Sequence, residues 1–125
     1  CGPGPALARM LEERGHHMAL YDPVFAPDTG PLKKQYDFVT CTEVAEHFHH
    51  PDKMFALLAG LLRPGGMLAV MTTLLHDGTN FQNWHYRRDP THVAFYRPAT
   101  FHWIGAHHKL SVCYLDNVSV IFLVR

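Results

Sequence analysis

Apolar positions along this chain switch between helical and extended spacings, and the switches predict an ordered series of elements. Over residues 6–14, Leu7, Met10 and Leu11 fall three and four apart, one stripe of a short amphipathic helix that Gly15 is placed to end. Residues 17–21 read as a short buried strand, stopped by Asp22-Pro23. Residues 24–35 hold Pro27, Asp28, Gly30 and Pro31 without a helical period and predict a loop. Residues 36–42 are the next strand, with Phe38, Val39 and Cys41 apolar, and it runs into Glu43-Val44-Ala45-Glu46-His47. Residues 51–62 carry the helical stripe Met54, Leu57, Leu58, Leu61 and Leu62, with Asp52 in the first turn where the helix dipole favours a negative charge. Pro64-Gly65-Gly66 is expected to end that helix, and residues 67–74 follow as a nearly continuous apolar strand, the pattern of a parallel strand covered on both faces. Residues 98–107 predict a last helix opened by Pro98, and residues 109–115 and 118–124 two strands joined by Asp116-Asn117, a hairpin signal.

Two gaps in this series matter. Between Asp22 and Tyr36 there is too little chain for a crossover helix and a strand, so a third strand is expected to be lost or vestigial. A strand should also precede the opening turn Cys1-Gly2-Pro3-Gly4-Pro5, and the chain begins at the turn itself, so the first strand is expected to be missing.

Composition narrows the class. At 125 residues, 47% hydrophobic and 18% charged, the chain reads as one ordinary globular domain, neither disordered nor collagen-like. The expected division is a cofactor-binding half, residues 1–75, and a half with a substrate loop, helix and hairpin, residues 76–125. No apolar run approaches the roughly 18 residues of a membrane span and no leader is visible, which with the cysteines places the protein in the cytoplasm. Eleven Lys and Arg balance eleven Asp and Glu, which weighs against nucleic acid or an anionic membrane as partner and for a small-molecule substrate. Cys1, Cys41 and Cys113 are odd in number and lack CxxC spacing, so free thiols are expected. The eleven histidines stand out, since imidazole titrates near neutral pH and binds metals.

The chemistry starts at Gly2 and Gly4, whose turn lets the backbone approach a ligand closely before a helix. About twenty residues on, Asp22 falls where an acid normally holds a ribose hydroxyl, although Asp-Pro is also a common turn former. In the dinucleotide fingerprint a third glycine packs the helix beneath a pyrophosphate, but here Leu7 occupies that position. S-adenosylmethionine, a nucleoside joined to an amino acid without pyrophosphate, suits such a loop better.

Cys-Gly-Pro-Gly, Tyr21-Asp22, Tyr-Asp-Phe-Val running into Glu-Val-Ala-Glu-His, and Leu-Leu-Arg-Pro-Gly-Gly before an apolar strand, in this order, resemble the class I S-adenosylmethionine-dependent methyltransferases over about the first three fifths of the chain. The resemblance implies an α/β fold: a three-layer, Rossmann-like, mostly parallel sheet ending in an antiparallel hairpin whose last strand inserts between two others. It implies methyl transfer from S-adenosylmethionine to a small-molecule acceptor. Expected cofactor contacts are Cys1, Gly2, Pro3, Gly4, Asp22, Thr42 and Glu43. The polar-aromatic segment 80–96 falls where the family places substrate recognition, and Trp84, His85, Tyr86, Arg87, Arg88 and Tyr96 are the expected substrate contacts. Arg87 and Arg88 could instead simply pair with Asp89.

A base is needed if the acceptor is a hydroxyl or an ammonium, and His92 and His47 are the candidates, His92 as base or substrate ligand and His47 acting behind it. Glu43, Glu46 and His47 also have metal-binding side chains, but a wetted strand end is the commoner reason for such a group, and no metal is expected. Two other classes stay open: a non-catalytic cofactor-binding module on the same scaffold, and a nicotinamide-dependent oxidoreductase, which Leu7 weighs against.

Overall fold

The computed structural model describes residues 2–125. Packing separates the chain into two compact units, Cys1–Lys34 and Gln35–Arg125. Within the second unit the C-terminal residues 120–124 pair directly with residues 67–71.

The first unit holds one α-helix, α1 (Ala6–Glu12), of which only Ala8 is buried. Leu7 and Met10, two members of its predicted apolar stripe, remain largely exposed. Gly15 sits at φ 89, a conformation glycine reaches without penalty, and helps the chain leave the helix. Residues 17–21 form no strand: a strand exists only as a member of a ladder, and none of the ladders includes them. Asp22 and Ala26 instead pair across a tight turn. Within the expected loop, Gly30–Lys33 winds into one 3-10 turn opened by Pro31.

The second unit is a four-stranded mixed sheet with two helices. Its strands are β1 (Tyr36–Thr42), β2 (Leu62–Met71), β3 (Ser111–Leu115) and β4 (Val120–Val124), in the order β1-β2-β4-β3. β1 and β2 are parallel, joined through helix α2 (Pro51–Gly60); β4 is antiparallel to both β2 and β3 and lies between them. This is the inserted last strand that the sequence implied. Helix α3 (Pro98–His107) has the predicted limits.

Phe55 and Ala59 of α2 and Phe101 and Ile104 of α3 join Cys41, Leu68, Val70, Ile121 and Leu123 in one core cluster. Phe55 and Phe101 meet edge to face at 6.0 Å. On the sheet the burial follows the pleat: Leu68 and Val70 are buried while Met67, Ala69 and Met71 are only half-buried. The continuous apolar run of β2 thus covers one fully buried and one half-buried face, where burial on both had been expected.

Pro64-Gly65-Gly66 does not terminate a helix. α2 ends at Gly60, Leu62 already pairs with Tyr36, and the next register pair is Phe38 with Met67, so the Pro-Gly-Gly segment bulges out inside β2. Gly65 takes φ 78. At Gly66 a Cβ would lie 2.9 Å from the Arg63 carbonyl oxygen and 3.0 Å from that of Tyr36, so only glycine closes the bulge.

Candidate functional site

The first unit supplies one candidate element. The backbone N–H of Gly2 donates to Oδ2 of Asp22 at 3.0 Å, tying the glycine turn to the acid twenty residues later. Gly2 is at φ 61, in the left-handed region where a side chain would be strained. Oδ1 of Asp22 accepts from the N–H groups of Val24 and Phe25, so Asp22 is both turn former and strut for the loop. The Phe25 N–H above all, then those of Val24 and Gly2, hold its carboxyl well below the usual range and keep it an anion. Pro3 and Gly4 lie on the same turn, with the Gly4 carbonyl accepting from Ala6 N–H at 2.8 Å. Cys1, the remaining expected loop contact, lies outside the described residues.

The second unit gathers a polar cluster at the carboxyl ends of β1 and β2, where open α/β sheets present their functional groups. The parallel ladder pairs Thr42 with Met71, and Glu43 N–H donates to the Met71 carbonyl at 2.8 Å, which sets Glu43 beside the end of β2. Glu43 leaves the strand at φ 50, a costly conformation for a residue with a side chain. Ala45–His47 then makes one 3-10 turn, so Glu43, Glu46 and His47 do not share a helix face.

Glu46 is completely buried. Its Oε2 accepts from the Thr72 hydroxyl at 2.9 Å, while Oε1 has no hydrogen-bond partner. With the Thr72 hydrogen committed there, the Tyr86 hydroxyl donates either to Thr72 Oγ1 at 3.1 Å or to Glu43 Oε2 at 3.5 Å. Burial, reinforced by Glu46, raises the Glu43 carboxyl above its ordinary range, and burial pushes the Tyr86 phenol up to about 12.

Two imidazoles close the cluster. His47 and His92 meet edge to face at 4.9 Å. Each directs Nδ1 at a backbone carbonyl, His47 at Thr91 (3.0 Å) and His92 at Tyr86 (2.6 Å). A carbonyl only accepts, so Nδ1 carries the hydrogen in both, and the neutral ring of each presents its Nε2 lone pair. The loop is held against the cluster from beneath: Val93 and Ala94 N–H both donate to the Glu46 carbonyl, and Leu75 N–H to that of Tyr96.

The expected substrate contacts divide. Tyr86 and His92 belong to the cluster, and Trp84 packs on Tyr86 and Phe95 at 5.3 and 5.6 Å. Tyr96 does not belong: it is 3% exposed, packs on Phe55 and Phe101, and donates its hydroxyl to the Ala45 carbonyl, so it serves the core. His85 and Arg88 are exposed. Arg87 lies 5.2 Å over the Phe81 ring and donates to the Gln82 carbonyl, while Asp89 caps Thr91, so local caps stand where pairing of the arginines with Asp89 was the alternative to substrate contact. Thr72, and Glu46 as a fully buried acid, were not anticipated as members; the pair Thr72-Thr73 closing the apolar run 67–71 was the available signal.

The family described as Methyltransferase domain matches residues 1–114. A search of curated proteins gave no match. Among solved structures, the chain is similar to a protein from Bacillus halodurans C-125 assigned as a methyltransferase, with TM-score 0.57 and 17% identity over 86% of this chain and 48% of that one. It is also similar to an O-methyltransferase family protein from Burkholderia thailandensis, with TM-score 0.64 and 15% identity over 96% of this chain and 39% of that one. The chain thus spans less than half the length of either protein, and at these identities the likeness is one of fold.

Proposed function

Starting from a chain that belongs to the methyltransferase domain family, we propose that it transfers a methyl group from S-adenosylmethionine to a small-molecule acceptor. The observation that carries the cofactor reading is the 3.0 Å hydrogen bond from Gly2 to Asp22. It couples a left-handed glycine to an ionised acid, the close backbone approach and the acceptor that a nucleoside with a ribose diol requires, and so the residues present fit the cofactor. When bound, S-adenosylmethionine supplies an electrophilic methyl group on a sulfonium.

Methyl displacement is in line, so what the chain's own residues contribute is alignment, exclusion of water and proton handling. Asp22 binds the ribose hydroxyls as an acceptor, and Gly2 and Gly4 let the backbone approach. The acceptor falls to the strand-end cluster, where Trp84 offers a face for stacking and His92 an Nε2 lone pair for an acceptor proton, with His47 beside it. Neutral overall charge supports a small acceptor over nucleic acid.

Calorimetry of the full chain with S-adenosylmethionine and, separately, with reduced nicotinamide dinucleotide tests the reading. Binding of the first alone is expected, weakened about tenfold or more in Asp22→Ala, since ionic hydrogen bonds are worth about 1.5–3 kcal/mol. Unchanged affinity in that variant sinks the ribose role, and preference for the nicotinamide sinks the reaction class.

A further inference from the structure

Among the described residues two buried side-chain polar atoms lack a hydrogen-bond partner, His108 Nε2 and Glu46 Oε1, and the second is a carboxylate oxygen in a fully buried residue. His47 Nε2 stands 3.9 Å away, too far for a hydrogen bond, and in the neutral ring, with Nδ1–H on the Thr91 carbonyl, that nitrogen offers a lone pair. Two imidazoles and a carboxylate with an orphaned oxygen, each bringing a donor atom within 4.8 Å of the others, are a poor arrangement for proteins in water and a good one for a cation.

We propose that Glu46, His47 and His92 bind a divalent transition metal ion. One donor atom from each lies within 4.8 Å of the other two. Donors about 2.0–2.2 Å from a tetrahedral ion sit about 3.5 Å apart, so modest side-chain rotation closes the site. The outer contacts are already those of a metal site. Each imidazole has its Nδ1–H fixed on a backbone carbonyl, Thr91 for His47 and Tyr86 for His92, which orients Nε2 inward, and Glu46 Oε2 is held by Thr72. Asp89 adds negative charge nearby, its Oδ2 3.9 Å from His92 Nε2. Two imidazoles and one carboxylate select zinc, cobalt, nickel, iron or manganese over magnesium and calcium, which prefer all-oxygen shells. Three protein ligands leave coordination positions open to water or to an oxygen of the methyl acceptor; with the ion bound, the metal would lower that oxygen's proton affinity in place of the His92 lone pair, which then serves as a ligand and not as the base. That last assignment rests on the proposed methyl transfer; metal binding itself does not.

The test is direct titration of the chelator-treated full chain with Zn2+ by calorimetry and with Co2+ by visible absorption, without S-adenosylmethionine, so its outcome is independent of the transferase reading. One site per chain is expected, with Co2+ ligand-field bands and no displacement by hundredfold Mg2+. Glu46→Gln and His47→Asn should each weaken it at least tenfold. Both are near-isosteric, and the Asn amide can still donate to the Thr91 carbonyl, so unchanged circular dichroism will separate lost ligation from lost fold. The chain has eleven histidines, and Asp52, His107 and His108 form a second, more exposed group, so His107→Asn/His108→Asn is the control and should leave the site intact. Absence of a site, affinity unchanged in Glu46→Gln and His47→Asn, or loss that follows the His107/His108 variant overturns the proposal.

Discussion

Thr72 gives one hydroxyl to two demanding neighbours, donating to buried Glu46 and standing 3.1 Å from the Tyr86 hydroxyl. Thr72→Val keeps the shape and removes the donor, leaving both Glu46 carboxylate oxygens unsatisfied. A loss of about 1–3 kcal/mol in urea unfolding is expected, and Thr72→Ser should recover most of it. A buried Glu is rare enough that its burial could not be read from the sequence, and Thr72-Thr73 at the end of an apolar run looks like ordinary strand composition. The link between Asp22 and the glycine turn was legible for the opposite reason: it follows from distance along the chain, and spacing is what a sequence displays. The Asp22 carboxyl is held low in the folded state by the N–H groups of Phe25, Val24 and Gly2, so the folded protein stays ionised where the unfolded chain, near about 3.9, takes up a proton. The resulting stabilisation is present above that unfolded value and is lost as pH falls toward the folded one. Wild type should therefore exceed Asp22→Asn in thermal stability at pH 6, with the two melting curves converging as pH falls below about 4; a gap that persists in acid would mean the carboxylate charge is not what holds the turn.

At the scale of elements, the hairpin closes on Asp116, whose Oδ1 accepts from the N–H groups of Val118, Ser119 and Val120 while Asn117 turns at φ 60. Asp116→Ala should cost about 1–2 kcal/mol and lower the protection of β4 amides, because β4 depends on that turn for its register between β2 and β3. Glycines in helices make a sharper contrast. Gly60, at the end of α2, has no atom within 4 Å of a built Cβ, whereas at Gly105 of α3 that Cβ would lie 2.9 Å from the Leu110 carbonyl oxygen. Gly60→Ala should stabilise by about 0.5–1 kcal/mol on helix propensity, and Gly105→Ala should destabilise as α3 is pushed off β3. Urea midpoints decide both, and equal signs would refute the packing argument. The limits of α3 were readable since Pro98 marks its start, and the Asp116-Asn117 hairpin since its turn is written locally. The Pro-Gly-Gly segment was misread because both residues punctuate any element: α2 had already ended at Gly60, and the glycines serve a bulge whose need comes from Tyr36, thirty residues earlier.

Across the molecule, the two units differ in what can make each stable. Gln35–Arg125 buries Phe55, Leu62, Leu68, Phe101, Ile121 and Leu123 completely behind a four-stranded sheet. Cys1–Lys34 has a seven-residue helix with one buried side chain, far below the roughly 12–15 residues at which an isolated helix is even marginal in water. The apolar period of residues 6–14 foretold that helix correctly, but a period records only which face could be buried, and Leu7 and Met10 remain exposed. Opening should therefore be graded. By native-state hydrogen exchange, amides of β2 and β4 are expected to open only with global unfolding, and those of α1 to exchange several orders of magnitude faster. If Asp22 and the glycine turn hold the nucleoside, saturating S-adenosylmethionine should slow exchange at Val24 and Phe25, whose N–H groups sit on the same carboxylate, by tenfold or more. Equal protection of α1 and β2 without ligand would refute the graded picture. Ligand-induced protection confined to residues 35–125 would leave that picture standing and remove Asp22 from the cofactor site.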